Sequence, residues 1–183
     1  LVLSDAMKAG SPDDGIPLDD GGAGGTAYAD ALATYLAFAV DKAADYWSGV
    51  CSWHSSGEFM RNTFGRQAIP MIWDYAECNP FSASTGNWMA CIDWVWKVVR
   101  SSHCGVEGSV SQLDATAESL SANNSVVSTD PPYYDNICYG DLSDFFYVWL
   151  RRSLAKVYPG LFDTLLTPKT QELIASSYQF DGD

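Results

Sequence analysis

Basic residues are scarce in this sequence. Its 183 residues carry 10 Lys and Arg against 23 Asp and Glu, for a formal charge of −13. That balance excludes attraction of nucleic acid by a general positive field, so any contact with a polyanion must be local or use basic surface outside this chain. Long apolar runs are lacking too. None reaches membrane-spanning length and no secretory signal is visible, so no membrane partner is expected. Cys-x-x-Cys pairs are absent. The five cysteines, Cys51, Cys78, Cys91, Cys104 and Cys138, are odd in number and suit reduced thiols in the cytoplasm better than a disulfide framework. Only two histidines occur. Cys51 and His54 have ligand-like spacing, but completing the set with His103 and Cys104 needs adjacent ligands, a poor fit to zinc, and no metal is expected.

Aromatic residues, in contrast, are plentiful. The chain is 47% hydrophobic and 14% aromatic, with seven Trp and ten Tyr. This composition belongs to a packed globular protein, and a cleft or interface lined with rings is one way to use so many.

Three regions follow from the pattern. Residues 1–25 end in a Gly- and Asp-rich loop, "KAGSPDDGIPLDDGGAGG". "GGAGG" lacks both the preceding strand and the following Lys-Ser/Thr of a phosphate loop, so it reads as a lead into a helix. Residues 26–104 read as mostly helical. Tyr28, Leu32, Tyr35, Leu36, Ala39, Val40, Ala43 and Trp47 form one stripe over 26–48, with Thr26 as N-cap. Met71–Trp73 predicts a short strand or helical turn, and Asn79-Pro80-Phe81 a helix stop and turn. Residues 87–101 repeat the helical period, with Trp88, Cys91, Ile92, Val95, Val98 and Val99 inward. From 105 to 183 the grammar becomes strand, loop, strand, loop, helix. One strand ends at Asp114, a second covers 125–130, and a helix over 142–158 follows, with Ser143 as its cap and Phe146, Trp149, Leu150, Leu154 and Val157 inward. In such α/β sheets ligands lie outside the carboxyl ends of the strands, where Asp114 and Asp130 fall. Arg151 and Arg152 read as snorkelling side chains. The acids around Asn136 (Asp135, Asp141 and Asp144) read as a solvated face or as caps.

The stretch "STDPPYYDN", Ser128 to Asn136, carries the chemistry. An exocyclic amino group of a nucleobase is a weak nucleophile because its lone pair is delocalised. Two acceptors aimed at its hydrogens favour a tetrahedral nitrogen and free that pair. The Asp130 carboxylate and the Pro131 carbonyl can be those acceptors, and Pro131 and Pro132 stiffen the turn that aims them. Tyr133 offers a ring face to an extruded base. Asn136 is a further candidate for contact with the base or a phosphate.

"TDPPYYDN" resembles the catalytic motif of amino-directed DNA methyltransferases. The longer strings "YADALATYLAFAVDKAADY", "RNTFGRQAIPMIWDYAECNPFS", "STGNW" and "DPPYYDNICYGDLSDFFYVWLRRSL" extend the likeness to a family of large adenine-specific DNA methyltransferases, from about residue 14 to residue 175. The resemblance implies an α/β fold: part of a Rossmann-like S-adenosylmethionine-dependent methyltransferase domain over 105–183, preceded by a family-specific helical region. It implies transfer of a methyl group from S-adenosylmethionine to adenine N6 first, or cytosine N4, in DNA. Asp130, Pro131, Pro132 and Tyr133 match the catalytic motif, and Asp114 matches loosely an acid beside the cofactor adenine. The glycine-rich motif Asp-x-Phe-x-Gly-x-Gly is missing. With Leu1 in place of Met and "FDGD" at the end, the chain reads as an internal or C-terminal fragment of a longer parent, inactive alone. Two rivals stand beside this: amino methylation of RNA or a protein glutamine, where Asn-Pro-Pro-Tyr is commoner, and a non-catalytic DNA-binding or interaction module.

Overall fold

The computed structural model describes residues 12–73, 75–102, 105, 108, 110, 114 and 126–175. Three α-helices dominate: α1 (Gly25–Trp47), α2 (Trp88–Ser101) and α3 (Tyr139–Leu154). A 3-10 turn at Leu18–Asp20 precedes α1. Strands β1 (Trp53–His54) and β2 (Phe59–Met60) pair antiparallel, Trp53 opposite Met60 and His54 opposite Phe59.

The two longest helices fall where the apolar period puts them, but their starts differ. Thr26 lies inside the first turn of α1, and Gly24 is the N-cap. Asp13 caps from upstream instead, its Oδ1 accepting from the Thr26 N–H at 3.0 Å and from the Thr26 hydroxyl at 2.8 Å. Ser143 likewise lies within α3, which begins at Tyr139. A partner from elsewhere in the chain can satisfy the free N–H groups of a first turn, so the local capping residue is not needed. For α2 the cap is local: Asn87 accepts from the Ala90 N–H at 2.9 Å.

Helix α1 lies between the other two. Ala37 packs with Leu154 and Phe162 on the α3 side, and Ala39 and Ala43 pack with Cys91 on the α2 side. The buried residues of α1 are glycine and alanine, not the large members of its stripe. A helix covered on two sides approaches both neighbours closely, and small side chains permit that approach. Tyr28, Leu32, Tyr35 and Leu36 therefore line an apolar groove against Ile92, Val95, Trp96 and Val99. Val98 and Trp149, expected inward, are exposed instead, and the Arg152 guanidinium sits 6.0 Å from the Trp149 ring centroid.

Two local expectations differ from the structure. Met71–Trp73 is neither strand nor helix, and Met71 and Trp73 are exposed. Residues 126–130 are not in a strand: they pair with no other strand among the described residues, and Val126 and Val127 are exposed. An extended apolar pair becomes a strand only when a neighbour accepts its backbone hydrogen bonds. The strand expected to end at Asp114 lies almost wholly outside the described residues. The Asn79 turn forms, with Oδ1 accepting from the Phe81 N–H at 3.0 Å, but no helix among the described residues ends there.

Candidate functional site

The turn after residue 130 is built by its prolines and by contacts from far along the chain. Pro131 and Pro132 have no N–H to give and hold a fixed φ. The Tyr134 N–H donates to the Pro132 carbonyl at 2.9 Å and the Asn136 N–H to the Tyr133 carbonyl at 3.1 Å. Tyr134 adopts a φ of +55°, left-handed backbone that a side chain rarely takes. It is held there in part by the Ala175 N–H, which donates to its carbonyl at 3.2 Å. Ile137 is buried behind the turn, and α3 starts two residues later.

The result is a cleft of about 350 Å³ lined by Asp130, Pro131, Pro132, Tyr133, Tyr139, Glu172 and Leu173. All four residues of the motif meet there. Tyr133 is 65% exposed, so much of its ring is available to a planar partner. Asn136 is exposed and does not line the cleft. Asp114 lines a neighbouring cavity of about 720 Å³ that shares Tyr139 and Glu172 with the first.

Glu172, Leu173 and Tyr139 were not foreseen as site residues. Glu172 reaches the first turn of α3, where Oε1 accepts from the Gly140 N–H at 3.0 Å. A carboxylate is favoured at a helix N-terminus. Its second oxygen, Oε2, is buried without a hydrogen-bond partner among the described residues. A Cβ on Gly140 would sit 3.1 Å from that oxygen and 3.2 Å from Lys169 Cγ, so glycine at the start of α3 lets residues 168–172 pack close. A glycine in the first turn of an apolar-periodic segment was the one local hint of that approach.

The same segment is pinned a turn further on. Asp144 accepts from the Thr167 N–H at 2.9 Å, the Thr167 hydroxyl at 2.7 Å and the Lys169 ammonium at 2.6 Å. Burial pushes the Asp144 carboxyl up, but Lys169 and Thr167 outweigh it and hold it below the usual carboxylate range. Asp144 is thus a strut and not a solvated acid, whereas Asp135 and Asp141 are exposed. Arg151 donates from Nε to the Phe162 carbonyl at 3.1 Å.

Among the described residues no group of three or more His, Cys, Asp or Glu is placed to hold an ion. Cys51 is buried, its thiol donating to the Asp45 carbonyl at 3.2 Å, and His103 and Cys104 lie outside the described residues. Cys78, Cys91 and Cys138 are, like Cys51, free thiols. No helix among the described residues is long and apolar enough to cross a membrane.

The chemistry of the two cavities suits part of S-adenosylmethionine. The carboxylates of Asp114 and Glu172 can accept from hydroxyl or amine donors, and the rings of Tyr139 and Tyr147 stand on the cavity wall, where an adenine could meet them. A glycine-rich turn to hold the methionine carboxylate is not in the sequence. The residues present therefore fit the adenosine portion and not the carboxylate end. Compared with protein-family models, curated proteins and solved structures, the chain matches none.

Proposed function

We propose that this chain is the catalytic-turn portion of a DNA amino-methyltransferase that methylates adenine N6 on an extruded base, working in the cytoplasm as part of a longer parent. The observation that carries this reading is the meeting of Asp130, Pro131, Pro132 and Tyr133 around one cleft, with acceptors and a ring face on its walls. S-adenosylmethionine, when bound, supplies the methyl group. Asp114, Glu172 and Tyr147 are the residues of this chain that would hold its adenosine portion. The carboxylate of Asp130 and the carbonyl of Pro131 accept from the two hydrogens of the target amino group, and Tyr133 stacks on the base. These acceptors act most strongly as the nitrogen becomes tetrahedral and positive, so their stabilisation falls on the transition state. Direct transfer needs no covalent enzyme intermediate and hence no nucleophilic cysteine.

The test is single-turnover methylation of duplex DNA by the full-length parent. Asp130→Ala is expected to slow transfer by about 10²–10³-fold while leaving cofactor affinity nearly unchanged. Near-normal turnover in that variant would remove Asp130 from the chemistry. An intact parent that methylates an RNA or a glutamine peptide, but no DNA, would move the activity to those substrates.

A further inference from the structure

A chain of charge −13 that places Asp130 and Glu172 in one cleft needs a local cation if DNA is to approach it. We propose that Arg66 is that cation, binding the phosphodiester of the strand whose base enters the Asp130–Tyr133 cleft. The inference rests on the DNA reading above.

Arg66 lines a cavity of about 390 Å³ together with Gln67, Ser143 and Tyr139. Tyr139 also lines the cleft of Asp130, so the two cavities meet at one ring. The start of the loop that carries Arg66 is held against α3. The Phe64 ring stands 5.1 Å from that of Phe145 and 5.5 Å from that of Phe146, both on α3. Asp45 is the acid of this cavity, and its Oδ1 already accepts from the N–H groups of Thr63 and Phe64, at 3.0 and 3.2 Å. The Arg66 guanidinium is exposed and makes no hydrogen bond, ion pair or ring contact among the described residues.

Several other cations are engaged elsewhere, and Arg61, Arg100 and Lys156 line neither cavity. Lys169 is 2.6 Å from Asp144, Arg151 bonds Phe162, Arg152 lies over Trp149, and Lys97 is 2.6 Å from Asp93. A guanidinium presents a planar fork that matches two phosphate oxygens at once, so an unengaged arginine beside a base-sized cleft suits the backbone of the same nucleotide. Phosphate contacts set the position of a strand, while the cleft reads the base.

The experiment titrates the full-length parent against a labelled duplex carrying one mismatched adenine, over a range of salt. The variants are Arg66→Gln, Arg66→Lys and, as a control on α2, Arg100→Gln. Arg66→Gln is expected to weaken binding about two- to fivefold, the scale of one exposed ion pair. It should also lower the slope of log affinity against log salt by about 0.9, the value for one phosphate contact on duplex DNA. Arg66→Lys should restore the slope, Arg100→Gln should leave it unchanged, and inorganic phosphate at matched ionic strength should not compete. If the unsubstituted parent fails to bind DNA, the DNA reading falls and this inference falls with it. If the parent binds and Arg66→Gln keeps the parental slope, or if Arg100→Gln lowers the slope equally, the assignment of Arg66 alone is overturned. Competition by inorganic phosphate, or tighter binding of RNA of the same sequence, also overturns it.

Discussion

Asp41 is the group whose replacement should change stability in the most readable way. It follows Ala37 by four residues and precedes Ala44 by three on α1. It therefore shares the face that meets Leu154 at Ala37, and Phe145 and Trp149 at Ala44. Its Oδ1 is buried with no hydrogen-bond partner among the described residues, and burial pushes its carboxyl up from 3.8 to about 7. The neighbouring cation, Lys42, is engaged with the rings of Tyr46 and Trp94. A folded-state value above the unfolded one means that the native state holds the proton more tightly. The contribution is fully present below pH 3.8 and is lost as the pH rises through 7. Carried in full, that difference corresponds to about 4 kcal/mol, and partial access of water to the side chain reduces it to about 2 kcal/mol. Asp41→Asn keeps the shape and removes the ionisation. At pH 8 the variant should melt about 4–8 °C above the parent sequence, at pH 5 the gap should be less than half as large, and it should close only near pH 3.8 and below, where the carboxyl is protonated in both states. Asp13, Asp14 and Asp144 do not confuse the comparison. Their carboxyls are held below 3.8, so their contributions are lost only as the pH falls into the acid range. Equal melting temperatures for variant and parent at both pH values would refute the burial of an ionisable Asp41.

Other outcomes follow from particular contacts. Tyr133→Ala should weaken binding of an extruded base by about 1–3 kcal/mol, as for one stacking contact, while Tyr133→Phe keeps the ring face and should be mild; equal losses in single-turnover methylation would exclude stacking as its role. Thr63 is fully buried, and its hydroxyl donates to the Asp45 carbonyl at 2.7 Å and meets Ser48 Oγ at 2.7 Å. Thr63→Val should cost about 1–3 kcal/mol in urea unfolding. It should also loosen the Phe64–Arg66 loop, seen as faster amide exchange there. Gly86 has a φ of +84°, and an added Cβ would lie 2.8 Å from Cys78 Sγ and 3.0 Å from Tyr46 Cβ. Gly86→Ala should therefore cost about 2–4 kcal/mol, and an unchanged melting temperature would show that the backbone there relaxes.

What was legible in advance is what depends on neighbours close in sequence. The period of three and four placed all three helices, because side chains one turn apart must share a face whatever lies opposite. The Asn79 turn and the stiff Pro131-Pro132 turn were legible for the same reason, since ring closure and side-chain acceptors act over two or three residues. The composition of "DPPY" also supplied the chemical idea of a cleft that accepts from an amino group. What the chain could not disclose was which large side chains of α1 would stay half exposed. That outcome depends on α1 lying between two helices, where close approach selects Ala37, Ala39 and Ala43. Nor could local pattern show that Asp13 would cap α1, or that residues 126–130 would lack a strand partner, since both depend on what lies opposite in space. The walls of the cleft follow the same rule. Glu172 and Leu173 lie about forty residues beyond Asp130, and Arg66, which lines the adjoining cavity, more than sixty before it. A glycine at 140 leaves room for the first pair beside Tyr139 and the motif, and a Phe64 ring held by α3 brings Arg66 to the far side of Tyr139.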